Sequence, residues 1–410
     1  MSSTSHGSAP RGGRRSPLGV LRVREFRVYF LGASLSNIGT WFQNIAAGLL
    51  VYDLTGSTLA VGAVNFSQFV GSFVLASVAG GAADRHDRRR LLMVSQAVAA
   101  TVGGVLAAVT LLGAVTPALV IGASLLLGFS LAFMVPALLA LVPLLVGDED
   151  LDAAVALNSV SFNLARAVGP VLGALVVESA GYGVAFALNA VSFLCFVGAL
   201  ALVRPRPQVR APGPRPRLRE TIRLVRSVPA WWAVLLATTV ISMSTDPVNT
   251  LTPELALDTF GGRQLDAGLL VGAFGTGATL TALTLTDWLR RRRRALPAAM
   301  LVQGAGMVIV GLAPSLAVAF VGMAISGGGF IGGITRSSVR LQTEVPDLQR
   351  GRVMALWSVA FVGTRPLASL VSGVIAEAAS ARVAAVVLAL PVLLLVPWVA
   401  GNLAAPVPDA

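Results

Sequence analysis

Long apolar runs alternate with short polar breaks along almost the whole chain. They lie at roughly 26–54, 58–83, 90–113, 117–146, 152–178, 182–203, 230–253, 266–288, 295–313, 316–341, 351–377 and 381–401. Each run is close to the about 20 apolar residues that a helix needs to cross a bilayer. The pattern therefore predicts an all-α polytopic membrane protein with twelve transmembrane helices.

One polar break is much longer than the others and divides the runs into six and six. It is rich in proline and arginine. The sequence predicts five regions: a disordered cytoplasmic tail (1–25), a six-helix bundle (26–203), a basic cytoplasmic linker (204–229), a second six-helix bundle (230–401) and a short cytoplasmic tail (402–410).

The two sets of runs contain an internal repeat. Residues 156–162 align with 355–361 at an offset of 199 positions, and Arg166 aligns with Arg365 at the same offset. Asp84 and Asp287, each followed by arginines, form a looser pair. The repeat predicts two pseudo-symmetric bundles in the same orientation, an arrangement in which a substrate site lies between the repeats near the bilayer midplane.

Composition and charge support a membrane location. Only 12% of the residues are charged, against about 25% in soluble domains, and mean hydropathy is +0.79. All 31 basic residues are arginine, and 27 of them lie in alternate breaks. By the positive-inside rule this predicts cytoplasmic N- and C-termini in a bacterial inner membrane.

The same counts exclude several classes of protein. The arginines lie between apolar runs and not on one folded face with aromatics, so no nucleic-acid partner is expected. A chain without lysine has no phosphate-binding P-loop and no Schiff-base lysine. With Cys195 as the one cysteine and two separated histidines, neither a disulfide nor a metal cluster is expected. No cofactor is predicted.

The polar turn at 80–90 carries the first family signature. Gly80, Asp84, Arg85, Arg88 and Arg89 together resemble the cytoplasmic helix 2–3 motif of the major facilitator superfamily, with Asp87 where that motif has glycine. The resemblance implies that Asp84 braces this turn against the start of span 11, as part of a conformational switch. The alternative is an arginine cluster that only fixes orientation.

Span 5 carries a second signature. Gly169, Pro170 and Gly173 resemble the antiporter motif of the same superfamily, which marks exporters. Small residues four apart allow close helix packing, and proline removes one helical hydrogen bond. The alternative is generic packing of small residues.

Four further stretches, at 26–43, 50–57, 163–166 and 350–355, are similar to the enterobactin-exporter-like branch of the superfamily. This resemblance implies efflux of a siderophore, antibiotic or comparable small molecule, coupled to protons, by a monomer in the lipid bilayer. Two other classes stay open: a facilitator-like sensor or scaffold that transports nothing, and a membrane prenyltransferase using the acidic stretch 148–152, which lacks a second acidic cluster.

Polar residues inside the spans are candidates for a substrate cavity, because hydrocarbon penalises them. The candidates in spans 1, 2 and 5 are Asn37, Thr40, Asn44, Asn65, Gln68 and Asn163. The alternative is hydrogen bonding between helices.

Three charged residues within spans are further candidates. Arg166 and Arg365 are placed near mid-membrane, where a charge costs about 3 kcal/mol or more. They are predicted to face the cavity or the junction of the two bundles, and the alternative is a structural ion pair. Asp246, in span 7, is the candidate proton-coupling group, and the alternative is a helix-end acid facing water.

Overall fold

The computed structural model describes residues 17–207, 218–245, 247–284, 292 and 294–403. Within these residues the chain is helical, with no strand. The first half consists of α1 (Arg24–Thr55), α2 (Thr58–Arg85), α3 (Arg88–Leu111), α4 (Pro117–Leu141), α5 (Leu151–Ala180) and α6 (Tyr182–Leu202). A short helix, α7 (Leu218–Ser227), follows the linker residues that lie outside the description.

The second half continues from α8 (Pro229–Met243) through two short helices, α9 (Pro247–Thr250) and α10 (Thr252–Glu254). It then contains α11 (Gln264–Thr284), α12 (Ala295–Leu312), α13 (Leu316–Glu344), α14 (Asp347–Val362), α15 (Arg365–Ala378), α16 (Ala381–Leu394) and α17 (Val396–Leu403).

The predicted all-α membrane architecture is confirmed. The predicted number of twelve spans agrees approximately with the number of long apolar helices in the structure. Ten described segments are long and apolar enough to cross a membrane, or eleven if the bent pair within 219–250 is one span. The 32-residue α1 adds a further long helix, packed against α5 and α6.

Polar residues stabilise the first turns of several helices. Ser57, Asp87, Thr116 and Ser380 each precede a helix and accept a hydrogen bond from a backbone N–H of its first turn, which satisfies one of the donors that a helix start leaves free. Asp87 therefore has a clear local role where the family motif has glycine. Its carboxylate accepts from the backbone N–H of Arg90 at 2.9 Å.

Three predicted spans of the second half are broken helices. Span 7 divides into α8 and α9, span 11 into α14 and α15, and span 12 into α16 and α17. Proline lies at the first turn after each break, as Pro247, Pro366 and Pro397, where its missing N–H costs no helical hydrogen bond. The corresponding α1, α5 and α6 of the first half are continuous.

The most extensive contacts between the halves are made by two helix pairs, α5 with α11 and α2 with α15. Glycines allow both approaches. A Cβ on Gly275 of α11 would lie 2.6 Å from the Cα of Ala167, and a Cβ on Gly373 of α15 would lie 2.8 Å from the Cα of Leu59. Such distances leave no room for a side chain, so these glycines fix how close the halves come.

The two ends of the molecule differ. We call the end with helix boundaries at 55–58, 180–182, 252–264 and 378–381 the closed face, and the end that bears α7 the linker face. At the closed face α15 packs on α2 of the other half, whereas its continuation toward the linker face, α14, packs on α7, α8 and α13 of its own half. The halves are thus joined at the closed face and diverge toward the linker face.

Two arginines of the 80–90 turn cap neighbouring helices. Arg88 donates to the carbonyl of Ala140 at the end of α4, at 3.0 Å. Arg89 donates to the carbonyls of Leu200 and Ala201 at the end of α6, at 2.6 and 2.7 Å. A cation at a helix C-terminus is also favoured by the helix dipole. The turn therefore ties three helices of the first half together.

Replacing Arg89 with glutamine is expected to lower the free energy of unfolding by about 1–3 kcal/mol, because two charge-assisted hydrogen bonds are lost. Thermal unfolding of the purified protein in detergent measures the change. Arg90→Gln is the matched control, since Arg90 is exposed in the same turn. Equal destabilisation by the two substitutions would contradict the capping role.

Candidate functional site: an arginine–aromatic cluster between the halves

Arg166 lies between the two halves, surrounded by aromatic rings from both. Its guanidinium carbon is 5.4 Å from the ring centroid of Trp41 in α1, 4.8 Å from that of Phe274 in α11 and 4.7 Å from that of Phe330 in α13. Only 8% of its surface is exposed. Among the described residues, this guanidinium makes cation–π contacts with rings and takes part in no ion pair.

The rings offset the charge of Arg166 but not its need for hydrogen-bond acceptors. Each buried cation–π contact contributes roughly 0.5–2 kcal/mol, so the three contacts together are comparable with the about 3 kcal/mol or more that a charged side chain costs at the bilayer centre. Aromatic rings also supply no acceptor in the plane of the guanidinium, which has five N–H donors. Within the described part of the chain, the rings therefore leave the N–H donors of Arg166 without acceptors.

Arg365 is the first residue of α15, directly after the break in span 11. Its Nε donates to the hydroxyl of Ser242 at 3.3 Å, and Ser242 donates to the carbonyl of Phe361 in the last turn of α14. Ser242 lies in the last turn of α8. One hydroxyl thus joins the broken ends of spans 7 and 11.

The two arginines share one aromatic stack. Arg365 lies 4.8 Å from the ring centroid of Phe361 and 5.5 Å from that of Phe69 in α2. Phe361 stacks on Phe330 at 6.3 Å and 30°, and Phe330 is a neighbour of Arg166. The pair predicted from the internal repeat is therefore brought together through rings, and we call the two arginines and these rings the arginine–aromatic cluster.

Several predicted cavity residues lie inside the first bundle instead. Gln68 donates to Asn44 at 3.0 Å, and Thr40 donates to the carbonyl of Ser36 in its own helix. Asn44, Gln68 and Thr40 line a small cavity together with Gln43 of α1, Asn189 of α6 and residues of α3 and α4. Gln68 and Asn44 thus bond to each other between α2 and α1, and Thr40 bonds within its own helix. Asn44 also lines a second small cavity with Asn249 and Val271 of the other half.

The other predicted polar residues are distributed differently. Asn65 donates to the hydroxyl of Thr250 in the other half at 3.1 Å. Asn163 donates to the carbonyl of Ser159 in its own helix at 2.8 Å. Asn37 is half-buried on α1. Asp246 lies outside the described residues, and its coupling role stays a prediction.

The antiporter-like motif packs α5 against two neighbours. A Cβ on Gly169 would lie 2.7 Å from the Cβ of Trp41, and one on Gly173 would lie 2.7 Å from Ile45. The carbonyl of Pro170 instead faces Gly268 of α11, where a Cβ would lie 2.5 Å away. Gly169 and Gly173 therefore allow α1 to pack closely on one side of α5, and the opposite side of α5 packs on α11 of the other half.

The helix 2–3 signature shows only part of its expected contacts. A Cβ on Gly80 would meet nothing within 4 Å, and Arg85 is exposed at the end of α2. The side chain of Asp84 lies outside the described residues, so the predicted brace against span 11 stays a prediction. Arg88 and Arg89 have the capping role given above.

The closed face is held by carboxylates that accept hydrogen bonds across the halves. In the first three contacts a hydroxyl of the first half donates to a second-half carboxylate, and in the last two the carboxylate belongs to the first half. The contacts are Tyr52–Asp258 (2.5 Å), Ser57–Glu377 (2.9 Å), Thr58–Glu254, Gln264–Asp53 (3.2 Å) and Arg263–Glu178 (3.1 Å). We call these five contacts the latch.

Removing two latch hydroxyls, with Tyr52→Phe and Thr58→Val together, is expected to shift the protein toward a state in which the closed face opens. A hydrogen bond to a charged group contributes about 1.5–3 kcal/mol, and carboxylates regain water when the face opens. Spin labels at Leu54 and Ala378, both exposed and on opposite halves, should report longer distances by pulsed electron paramagnetic resonance.

The control for this experiment is Thr110→Val, because the Thr110 hydroxyl donates to the carbonyl of Leu106 in its own helix. An unchanged distance distribution in the double variant would show that the latch does not hold the face.

Two bundles that share a central cluster and are closed at one face define a transporter of the major facilitator fold. Solved structures share this fold. A bacterial homolog of the human lysosomal transporter Spinster, inward-facing and unoccupied, has a TM-score of 0.76 over 97% of this chain and 98% of its own, at 12% identity. A bacterial homologue of the iron transporter ferroportin in an inward-facing state has a TM-score of 0.75 over 93% and 99%, at 16% identity.

The family is shown by sequence. The model of the "Transmembrane secretion effector" family matches residues 15–410, and the chain belongs to this major facilitator family. Curated relatives include the enterobactin exporter EntS of Citrobacter koseri, 29% identical over 347 residues, with 81% of this chain and 80% of the relative covered. EntS of Shigella boydii serotype 18 (strain CDC 3083-94 / BS512) is 28% identical over 343 residues with the same coverage.

Proposed function

We propose that the protein exports a small molecule, of the siderophore, antibiotic or drug-like kind, in exchange for protons. The observation that carries this proposal is the arginine–aromatic cluster, which is built by both halves and lies where they meet. A site shared in this way changes shape when the halves rock, as alternating access requires. The relatives named as enterobactin exporters support the direction and the kind of substrate.

The orientation belongs to the same proposal. Arginines are concentrated at the linker face, which the positive-inside rule assigns to the cytoplasm. The latch then lies outside, and the described state is open toward the cytoplasm, ready to receive substrate for export. We assign both termini to the cytoplasm of a bacterial cell and treat the protein as a monomer.

Asp246 is the proposed proton-coupling residue. In the sequence it directly precedes Pro247, the first residue of α9. A carboxyl removed from water holds its proton more readily and exchanges it when solvent returns. Asp84, through the helix 2–3 turn, is proposed to bias the two conformations.

Inside-out vesicles, acidified inside, test the proposal. A panel of siderophores and antibiotics is added, and a pH dye reports proton release caused by each compound. Release is expected with the native protein and absent with Asp246→Asn. Asp347→Asn is the control, because the Asp347 side chain is 87% exposed at the linker face. Transport by Asp246→Asn at the native rate would remove the assignment, and inserted protein that moves no compound would favour a non-transporting sensor.

A further inference from the structure

The charge of Arg166 has no counter-ion among the described residues. The guanidinium is enclosed by three rings, and the acidic residues of the described chain lie near the helix ends, at the latch or at the linker face. Rings stabilise a cation without cancelling its charge. The cluster therefore presents a cation whose hydrogen-bond donors await an acceptor.

A second cation lies on the same aromatic stack. Arg365 is bound to the face of Phe361, which stacks on Phe330 of the Arg166 site. The charge of Arg166, which has no counter-ion among the described residues, attracts an anion, and a guanidinium matches a carboxylate or similar oxyanion with two parallel hydrogen bonds.

The rings that enclose Arg166 come from both halves. Trp41 belongs to the same half as Arg166, whereas Phe274 and Phe330 belong to the other half. When the halves move apart, Arg166 loses two of its three rings, and a guest that carries its own ring replaces them. A small cavity that adjoins the cluster at Trp41 is lined by both halves, with Asn44 and Pro170 on one side and Asn249 and Val271 on the other.

We propose that the arginine–aromatic cluster binds an organic anion that carries a planar aromatic ring. The anionic group bonds to Arg166, and the ring stacks among Trp41, Phe330 and Phe361. The inference rests on the proposed function, since it names the class of substrate for the same site. It excludes cationic compounds as preferred substrates.

Binding to the purified full-length protein, without a proton gradient, tests the class. The probes are 1-naphthoate, its cationic counterpart 1-naphthylmethylammonium, and cyclohexanecarboxylate, which keeps the charge and lacks the aromatic ring. Isothermal titration in detergent measures each Kd. We expect 1-naphthoate to bind at least tenfold more tightly than either of the other probes.

The variants locate the site. Arg166→Gln is expected to raise the Kd of 1-naphthoate at least tenfold, and Arg166→Lys to give an intermediate value, because charge is kept while the paired hydrogen bonds are lost. Arg382→Gln is the control, since Arg382 lies 5.2 Å from the ring centroid of Phe260 at the closed face, away from the cluster. Size-exclusion chromatography shows that each variant is folded.

Three outcomes would overturn the inference: equal binding of the anionic and cationic probes, a native Kd in folded Arg166→Gln, or no binding of 1-naphthoate to folded native protein. These outcomes are independent of the vesicle experiment. Anion binding without proton release would leave the substrate class standing and remove proton-coupled export, whereas proton release by cationic compounds alone would remove the substrate class and leave export standing.

Discussion

Replacing Gly373 with leucine is expected to hold the closed face open and to abolish transport. The Cβ of any residue at 373 would lie 2.8 Å from the Cα of Leu59 and 3.1 Å from the carbonyl oxygen of Thr58. Both neighbours are backbone atoms of α2, which cannot move aside as a side chain does. Overpacking of this kind costs about 1–3 kcal/mol, and each 1.4 kcal/mol changes a population about tenfold.

Cysteine labelling measures this shift. Thr250 is fully buried behind the closed face, and Thr250→Cys in a Cys195→Ser background provides a reporter for a bulky, membrane-impermeant maleimide. Labelling is expected to rise at least tenfold in Gly373→Leu. Gly104→Leu is the control, because a Cβ at 104 meets nothing within 4 Å. Equal labelling in both variants would show that closure does not depend on this contact.

Replacing Arg166 with methionine is expected to raise thermal stability and to abolish transport. Methionine has a similar length and no charge, so the cost of a mid-membrane cation, about 3 kcal/mol or more, is removed. The rings around position 166 continue to pack on the new side chain. Substrate binding loses its principal cation, and transport is expected to fall by two orders of magnitude or more.

Arg340→Met gives the comparison for stability. Arg340 is as buried as Arg166, at 7% exposed, but it pairs with Glu344 at 2.7 Å and donates to the carbonyl of Leu403 at 3.1 Å. Its removal leaves a carboxylate and a carbonyl without their partner, so the protein should become less stable. Differential scanning fluorimetry of both variants checks the opposite signs. A loss of stability in Arg166→Met would mean that this arginine is a structural element.

The helical architecture and its division were predictable because hydrocarbon imposes a single rule on every span. Apolar runs of the right length and an arginine-rich break after the sixth run were sufficient. The broken helices were less visible. Pro247, Pro366 and Pro397 mark the breaks, but proline also lies inside the unbroken α4 and α5, as Pro136 and Pro170, so proline alone does not predict where a helix divides.

The arginines of the site were predictable from depth and repeat, whereas their partners were not. A charge is expected to find an opposite charge, and the structure surrounds Arg166 with rings from α1, α11 and α13 that are far apart in sequence. A local signal did exist. Phe361 precedes Arg365 by four residues and is one of its ring partners, whereas Phe162, four residues before Arg166, packs on Trp41 instead. The surroundings of Asn44 and Gln68 were harder to predict, because a polar residue in a span gives the same sequence pattern whether it faces a cleft or a neighbouring helix.

The broken helices also mean that the two halves differ in where they can bend during the transport cycle. The first half has continuous helices in α1 and α5, whereas the second half bends where Ser242 bonds to Phe361 and Arg365. A half with continuous helices and a half with broken helices can therefore be blocked at different places. A compound that binds at this break and holds its helix segments in one arrangement would stop the transport cycle without resembling the substrate. Mutations that change the substrate site would not by themselves confer resistance to such a compound.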